Sequence, residues 1–210
     1  MSARGVLVVG AGGFGRETLD VLIAQGRTVI GVVDDAPAER NLQRLADRGI
    51  PHLGTLDAWL ERTDASTEYV VGIGNGAIRE RLAARLDAAG HRAATAIHPD
   101  STIGSRVTIG PGTVILAGAR LTTNITLHEH VHLNPNVAIG HDSELGSCTS
   151  ANPAAVVAGE VRVGARVLLG TGSHVLQGLS VGDDTVVGAC ALVTKDVPSG
   201  VVVTGIPGRW

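Results

Sequence analysis

The amino-acid sequence predicts a fold in two parts, an α/β Rossmann-like half domain over residues 1–96 followed by a parallel β-helix over 97–210. Three observations carry this reading. Every sixth residue from Ile97 to Val193 is apolar. The glycine-rich stretch Gly10-Ala-Gly-Gly-Phe-Gly15 stands between an apolar run and a helical pattern. Aromatic residues make up only 2% of the chain while glycine occurs 29 times, a composition that suits a coil packed with Val, Ile, Leu and Ala better than a conventional globular core.

In chain order, Val6 to Val9 reads as a buried strand and Arg16 to Ala24 as a helix. The glycines between them have the GxGxxG spacing in the strand-to-helix context that the motif requires. Backbone N–H groups and a helix N-terminus there suit a phosphate, which makes Gly10, Gly12, Gly13, Phe14 and Gly15 candidate acceptor or nucleotide contacts. A second strand, Thr28 to Val33, ends at Asp34-Asp35, where an acid reaches a ribose or base. Only one βαβαβ half fits before the hexads, so a mononucleotide portion is expected rather than a full dinucleotide. Tyr69 to Ile73 reads as a later strand and Ala77 to Ala89 as a helix; the Gly72-Ile-Gly-Asn-Gly76 loop between them adds Asn75 and Arg79 as candidates facing the same crevice.

From Ile97 the period of six matches neither a helix nor a simple alternating strand, and the fifth hexad position is again small or branched, as at Val107, Thr113, Ala119, Val131 and Val137. Glycine recurs in the second position at 104, 110, 140, 146, 164, 170, 182 and 188, where corners ask for φ > 0 or close backbone approach. The ladder is expected to run without a slip to Pro198. Three hexads close an 18-residue coil, so residues 18 apart stack at the inter-strand spacing of about 4.8 Å. His141 therefore stacks beside an exposed Gly159 amide, in a column running Ser105, Thr123, His141, Gly159, Gln177, Lys195. A β-helix of few coils also presents flat sides through which such folds trimerise, making a cleft between neighbours.

A formal charge of −3 advertises no polyanion surface, and nucleic acid is not expected as a partner. No 18-residue apolar span is present, so no membrane association is expected. Cys148 and Cys190 lack CxxC context and read as reduced thiols of a cytoplasmic protein.

GAGGFGRE near the start, Asp34-Asp35 after the second strand, GIGN before a helix, the unbroken hexads with Gly140-His141-Asp142, and a closing Thr204-Gly-Ile-Pro-Gly208 together resemble the NeuD/PglD sugar O/N-acyltransferases over essentially the whole chain. The resemblance implies a left-handed β-helix, a homotrimer, acetyl-CoA as acyl donor and a small-molecule sugar or amine acceptor, in several members a nucleotide-linked amino sugar. It implies His141 as general base, Asp142 as the acid that orients it, and Gly159 as the amide that meets the acetyl carbonyl. Neutral His141 would deprotonate the attacking amine or hydroxyl while Gly159 stabilises the oxyanion; no metal is required and no covalent nucleophile stands in register. Coenzyme A is expected along a groove between two β-helices, at Gly159 and Gly172, with its phosphates near Lys195 and Arg209.

Two departures bear on the acceptor. Members acting on nucleotide-linked amino sugars often carry His where this chain has Phe14, and a second His nine residues after the catalytic one, where it has Ser150. A free sialic-type acid or another non-nucleotide acceptor is the alternative, with O-acetylation in place of N-acetylation. His128, His130 and His132, at spacing two, raise a further one, a zinc-dependent hydratase like the γ-class carbonic anhydrases. A non-catalytic trimeric nucleotide-binding platform is the third alternative.

Overall fold

The computed structural model describes residues 5–63 and 67–210. Its first part is a four-stranded parallel sheet in the order β2-β1-β3-β4, formed by β1 (Val6–Val9), β2 (Val29–Val33), β3 (Glu68–Val71) and β4 (Arg92–Ala93). Four helices connect these strands: α1 (Gly13–Ala24), α2 (Glu39–Ala46), α3 (Leu56–Leu60) and α4 (Gly76–Ala88). Side chains alternate across the central strand and so divide the core. Val6 and Val8 pack with Leu19 and Leu22 of α1, whereas Leu7 and Val9 pack with Leu56, Trp59 and Leu86 on the other side. The core on the α1 side continues into Ala96, Val114 and Leu116 of the first coils, so the two parts of the chain share packed apolar surface. No helix among the described residues is long and apolar enough to cross a membrane.

The hexads fold as two-residue parallel strands on three faces of a prism. The first face has seven strands, from Ala96–Ile97 to Val202–Val203; the second has six, from Thr102–Ile103; the third has five, from Thr108–Ile109. Pairing follows the 18-residue step, as in Thr126 with Glu144 and His132 with Ser150. The second residue of most strands turns inward, and Ile115, Leu121, Leu127, Leu133, Ile139 and Leu145 form a continuous column of core. The last coil departs from the expected register: Val197 bridges Val181 and Val202 pairs with Val186, each 16 residues apart. The step from Val193 to the next buried position, Val197, is thus four residues, and the six-residue ladder does not continue to Pro198.

Corner geometry separates two roles that the hexad left joined. Every fourth-position residue from Arg106 to Cys190 has a positive φ, between 55° and 74°, and most of these residues are not glycine. The second-position glycines do not have positive φ; they are needed for close approach. A Cβ on Gly170 would lie 2.6 Å from the Ala189 nitrogen, and one on Gly146 would lie 2.6 Å from the Ala165 nitrogen. Stacking the next coil directly on that corner leaves no room for a side chain.

The α/β part covers the first four strands of the first face, where Ala96, Val114, His132 and Ser150 are buried. Phe14 of α1 stacks on His132 of that face with ring centroids 4.2 Å apart, and the Ser150 hydroxyl donates to the Gly74 carbonyl at 3.2 Å. The corner that carries His141 joins the second and third faces, so it is the vertex opposite the α/β part.

Substituting the two kinds of corner residue tests this division. Gly170→Ala is expected to destabilise the protein by about 1–3 kcal/mol through overpacking. Ala154→Gly, at φ 58°, is expected to change stability by less than about 1 kcal/mol, because relief of the left-handed conformation offsets the added freedom of the unfolded chain. Urea denaturation of both variants reads the difference; equal effects would contradict it.

Candidate functional site

His141 and Asp142 occupy the third and fourth positions of one corner, and the left-handed turn at Asp142 (φ 59°) brings its carboxylate back to the preceding ring. His141 Nδ1 lies 2.7 Å from Asp142 Oδ2. With Nδ1–H donating to the carboxylate, the ring's lone pair is on Nε2. The other carboxylate oxygen, Asp142 Oδ1, accepts from Asn124 Nδ2 at 2.6 Å. Hydrogen bonds from Asn124 and then from His141 hold the Asp142 carboxyl below its ordinary range, so it is an anion at neutral pH. Sequence reasoning missed Asn124, although the signal was available: it is 18 residues before Asp142, one coil back in the same column.

Gly159 sits one coil on, as the column requires, but it is buried rather than exposed. A Cβ there would lie 2.5 Å from both Nε2 and Cε1 of His141, so the imidazole covers the glycine and only hydrogen fits beneath it. Ala158 N–H donates to Val175 O and Glu160 N–H to His141 O, while the Gly159 N–H has no partner among the described residues. A base lone pair and an unengaged amide donor thus occupy stacked corners of two successive coils, the pair that acyl transfer requires.

The glycine loop divides by function in the same way. Gly10 has φ +108° and packs on Gly72 and Ile73, and a Cβ on Gly15 would run into the Gly10 carbonyl. Both glycines are structural. A Cβ on Gly12 or Gly13 would meet no atom within 4 Å, and α1 begins here without a side-chain cap, so this is open space before unsatisfied N–H groups. Asp34 closes onto the loop, its Oδ2 accepting from Ala11 N–H at 2.8 Å and its Oδ1 from Ala36 N–H at 3.0 Å. Asp35 Oδ1 accepts from Leu56 N–H at 2.8 Å. Gly10, Asp34, Asp35, Ile73, Ile78 and Arg81 line a cleft of about 360 Å³.

Arg79 and Asn75 are corrected by the structure. The Arg79 side chain is completely buried and donates to the carbonyls of Ile73, Gly74, His130, Cys148 and Thr149 and to Ser150 Oγ, at 2.6–3.3 Å. Burial lowers its pKa to about 10, which leaves it charged at neutral pH, and it rivets the Gly72–Gly76 loop to the β-helix instead of meeting a ligand. Asn75 caps α4, its Oδ1 accepting from Ile78 N–H at 3.0 Å, and it lines a separate hollow with Gly74, Ser150 and Arg166 rather than the cleft at Gly10. The arginine in the cleft is Arg81, which sequence reasoning passed over. Helical phase could have found it: Ile78, Arg81 and Leu82 share a face at i, i+3 and i+4, and Arg79 points about 200° away from Arg81.

The remaining candidates separate as well. Phe14, expected to contact an acceptor, is half-buried against His132. His128 Nε2 pairs with Glu144 Oε1 at 2.6 Å, the His130 ring lies parallel to Tyr69 with centroids 6.1 Å apart, and His132 stacks on Phe14, so the three rings serve three different partners. The Gly172 N–H, expected to meet coenzyme A, donates to Pro153 O at 3.0 Å. Lys195 Nζ lies 4.5 Å over the Trp210 ring, in the His141 column, and the Arg209 backbone pairs with Thr204 to close the C-terminal turn.

Comparison with known proteins adds the following. Residues 5–86 match the PglD N-terminal domain family. The chain is 29% identical over 140 residues to GDP-perosamine N-acetyltransferase of Escherichia coli O157:H7, covering 64% of this chain and 61% of that protein. It is 30% identical over 115 residues to UDP-N-acetylbacillosamine N-acetyltransferase of Bacillus subtilis (strain 168), covering 54% and 52%. Each alignment spans less than two thirds of the curated relative's length. The crystal structure of PerB from Caulobacter crescentus, in complex with CoA and GDP-perosamine, superposes with a TM-score of 0.88 at 30% identity, covering 98% of this chain and 96% of that one.

Under Phe14, His132 is 1% exposed and neither ring nitrogen has a partner among the described residues. Burial holds its pKa well below the ordinary value of 6.5. The unfolded chain therefore takes up a proton near pH 6.5 that the folded chain excludes, and stability falls as pH drops below that value. Between pH 7.5 and 5.5 the loss from this group is expected to be about 1 kcal/mol by urea unfolding, and His132→Phe to remove it. An unchanged pH dependence in that variant would contradict the assignment.

Proposed function

The chain belongs to the PglD-type sugar acyltransferase family, and from that membership we propose that it transfers the acetyl group of acetyl-CoA to the amine of a nucleotide-linked amino sugar. The observation that carries this reading is the stacking of Gly159 on the His141–Asp142 corner of the preceding coil. The acceptor nitrogen attacks the thioester carbonyl as its proton passes to His141 Nε2. Asp142, held at Nδ1, stabilises the imidazolium that forms. Negative charge gathers on the carbonyl oxygen, to which the unengaged Gly159 N–H donates. Collapse of the intermediate breaks the carbon–sulfur bond, and the thiolate takes the proton back from His141. Acetyl-CoA as donor makes the cytoplasm the setting.

Residues 1–96 hold the acceptor and 97–210 carry out the transfer. The nucleotide occupies the cleft of Gly10, Asp34, Asp35 and Arg81, with its phosphates toward the open space at Gly12 and Gly13. That cleft belongs to the part covering the first face, and His141 stands at the opposite vertex across the β-helix core. Within one copy the cleft and the base thus lie on different sides of the β-helix. A homotrimer, in which the acceptor cleft of one copy faces the His141 corner of the next, resolves this separation. The thioester arm then follows the His141 column toward Lys195, with Arg209 nearby. The two names among the relatives support a nucleotide-linked amine, one GDP-linked and one UDP-linked.

Thiol release from acetyl-CoA, measured with GDP- and UDP-linked amino sugars and with free sugars, tests the proposal. His141→Ala is expected to lower kcat by about 10²–10⁴-fold with KM for acetyl-CoA little changed. Full turnover in that variant sinks the assignment of the base, and turnover with free sugars alone sinks the nucleotide-linked acceptor.

A further inference from the structure

The His141–Asp142 pair is exposed, with side-chain exposures of 57% and 45%, so packing does not hold it. An exposed carboxylate rotates freely about its last bond unless its second oxygen is anchored. Here Oδ2 faces His141 Nδ1 at 2.7 Å and Oδ1 accepts from Asn124 Nδ2 at 2.6 Å, so both oxygens are engaged by groups from two successive coils. The backbone backs this arrangement. Asn124 N–H donates to Ser105 O at 3.0 Å, and Asp142 N–H donates to Thr123 O at 3.1 Å, which stacks the two corners in register.

We infer that Asn124 is a positioning residue for the transfer reaction: its amide fixes the Asp142 carboxylate, and through it the tautomer and direction of the His141 ring. The inference rests on the reading of His141 as the base. A neutral amide at this place has a chemical consequence. It donates a hydrogen bond to the carboxylate without adding charge, so the full negative charge of Asp142 remains available to the imidazolium. A cation there would offset that charge, and a second carboxylate would add to it. The other charged side chains of the Asp142 column are Glu160, one coil on, Asp196, three coils on, and Arg106, two coils back; Lys195 lies three coils on in the His141 column.

Substitution at 124 is tolerable on the protein's own precedent. The same corner position holds Ala154 at φ 58°, Asp184 at φ 57° and Arg106 at φ 58°, so small, acidic and long cationic residues all adopt the conformation that Asn124 has at φ 55°.

The test uses the full-length protein in three variants, Asn124→Ala, Asn124→Asp and Asn124→Lys. Asn124→Ala is expected to lower kcat about tenfold with KM for acetyl-CoA unchanged. The acidic limb of the kcat/KM profile is expected to move up by about half a pH unit in Asn124→Asp and down by a similar amount in Asn124→Lys. A purely structural role does not move the limb in opposite directions for opposite charges. Nitrogen-15 NMR of the His141 ring gives a readout that needs no acceptor: one tautomer in the wild type, a mixture in Asn124→Ala. Unchanged kcat and an unchanged tautomer in Asn124→Ala, or limbs moving the same way in the two charged variants, overturn the inference. His141→Ala separates the cases. If that variant stays active, the reading of the base has failed; if it is inactive while the Asn124 series is silent, only the role of Asn124 has failed.

Discussion

Coil stacks on coil every 18 residues, through backbone hydrogen bonds such as Thr126 N–H to Ser143 O and Gly140 N–H to Val157 O, and this register governs the rest of the molecule. Each face contributes only two-residue strands, so no strand is stable alone and the coils stand or fall together. The register imposes a cost. One left-handed residue per corner, from Arg106 to Cys190, is unfavourable by roughly 1 kcal/mol where it is not glycine. A continuous inward column of Ile, Leu and Val offsets that cost by burial. The same left-handed corner that burdens the fold turns the Asp142 carboxylate toward His141, so strain imposed by the architecture is used at the site.

A second constraint joins the two parts of the chain. Buried Arg79 gathers carbonyls from the Gly72–Gly76 loop on one side and from His130, Cys148 and Thr149 on the other, and so satisfies peptide oxygens at a seam that water does not reach. Its planar fork of five N–H groups is suited to this task, whereas lysine offers three donors around a point charge. Together with the Phe14–His132 stack, this contact seats the α/β part on the first face and sets which vertex stays free. The Gly10 cleft and the His141 corner lie on different sides of the β-helix because of it.

Much of this was legible in the sequence, for a definite reason. The register of a coil is arithmetic, so placing Gly159 over His141 needed only the number 18, and the same arithmetic would have found Asn124. The slip after Val193 was not legible because the terminal coil has no later coil to keep in step. Arg79 was misplaced because a strand-loop-helix pattern shows that an arginine follows the loop but not which way it points; counting helical phase selects Arg81 instead. The burial of Gly159 was hidden because periodicity stacks Cα positions and says nothing about how a ring lies over its neighbour. The departures at Phe14 and Ser150 looked like changes to the acceptor site. In the structure Phe14 packs on His132 and Ser150 joins the Arg79 network, so both positions are absorbed by the seam between the two parts.

The central claim is that a working site takes its acceptor cleft from one copy and its base from another, and subunit complementation tests it most directly. Gly12→Trp puts a bulky side chain into the space before α1, where a Cβ would meet no atom within 4 Å. His141→Ala removes the base. Each variant alone is inactive under this account. Co-expressed in equal amounts and assembled together, they are predicted to regain about a quarter of wild-type turnover, the share of interfaces that pair an intact cleft with an intact base. Mixed assemblies that form but remain inactive would contradict the claim and return the cleft and His141 to a single chain.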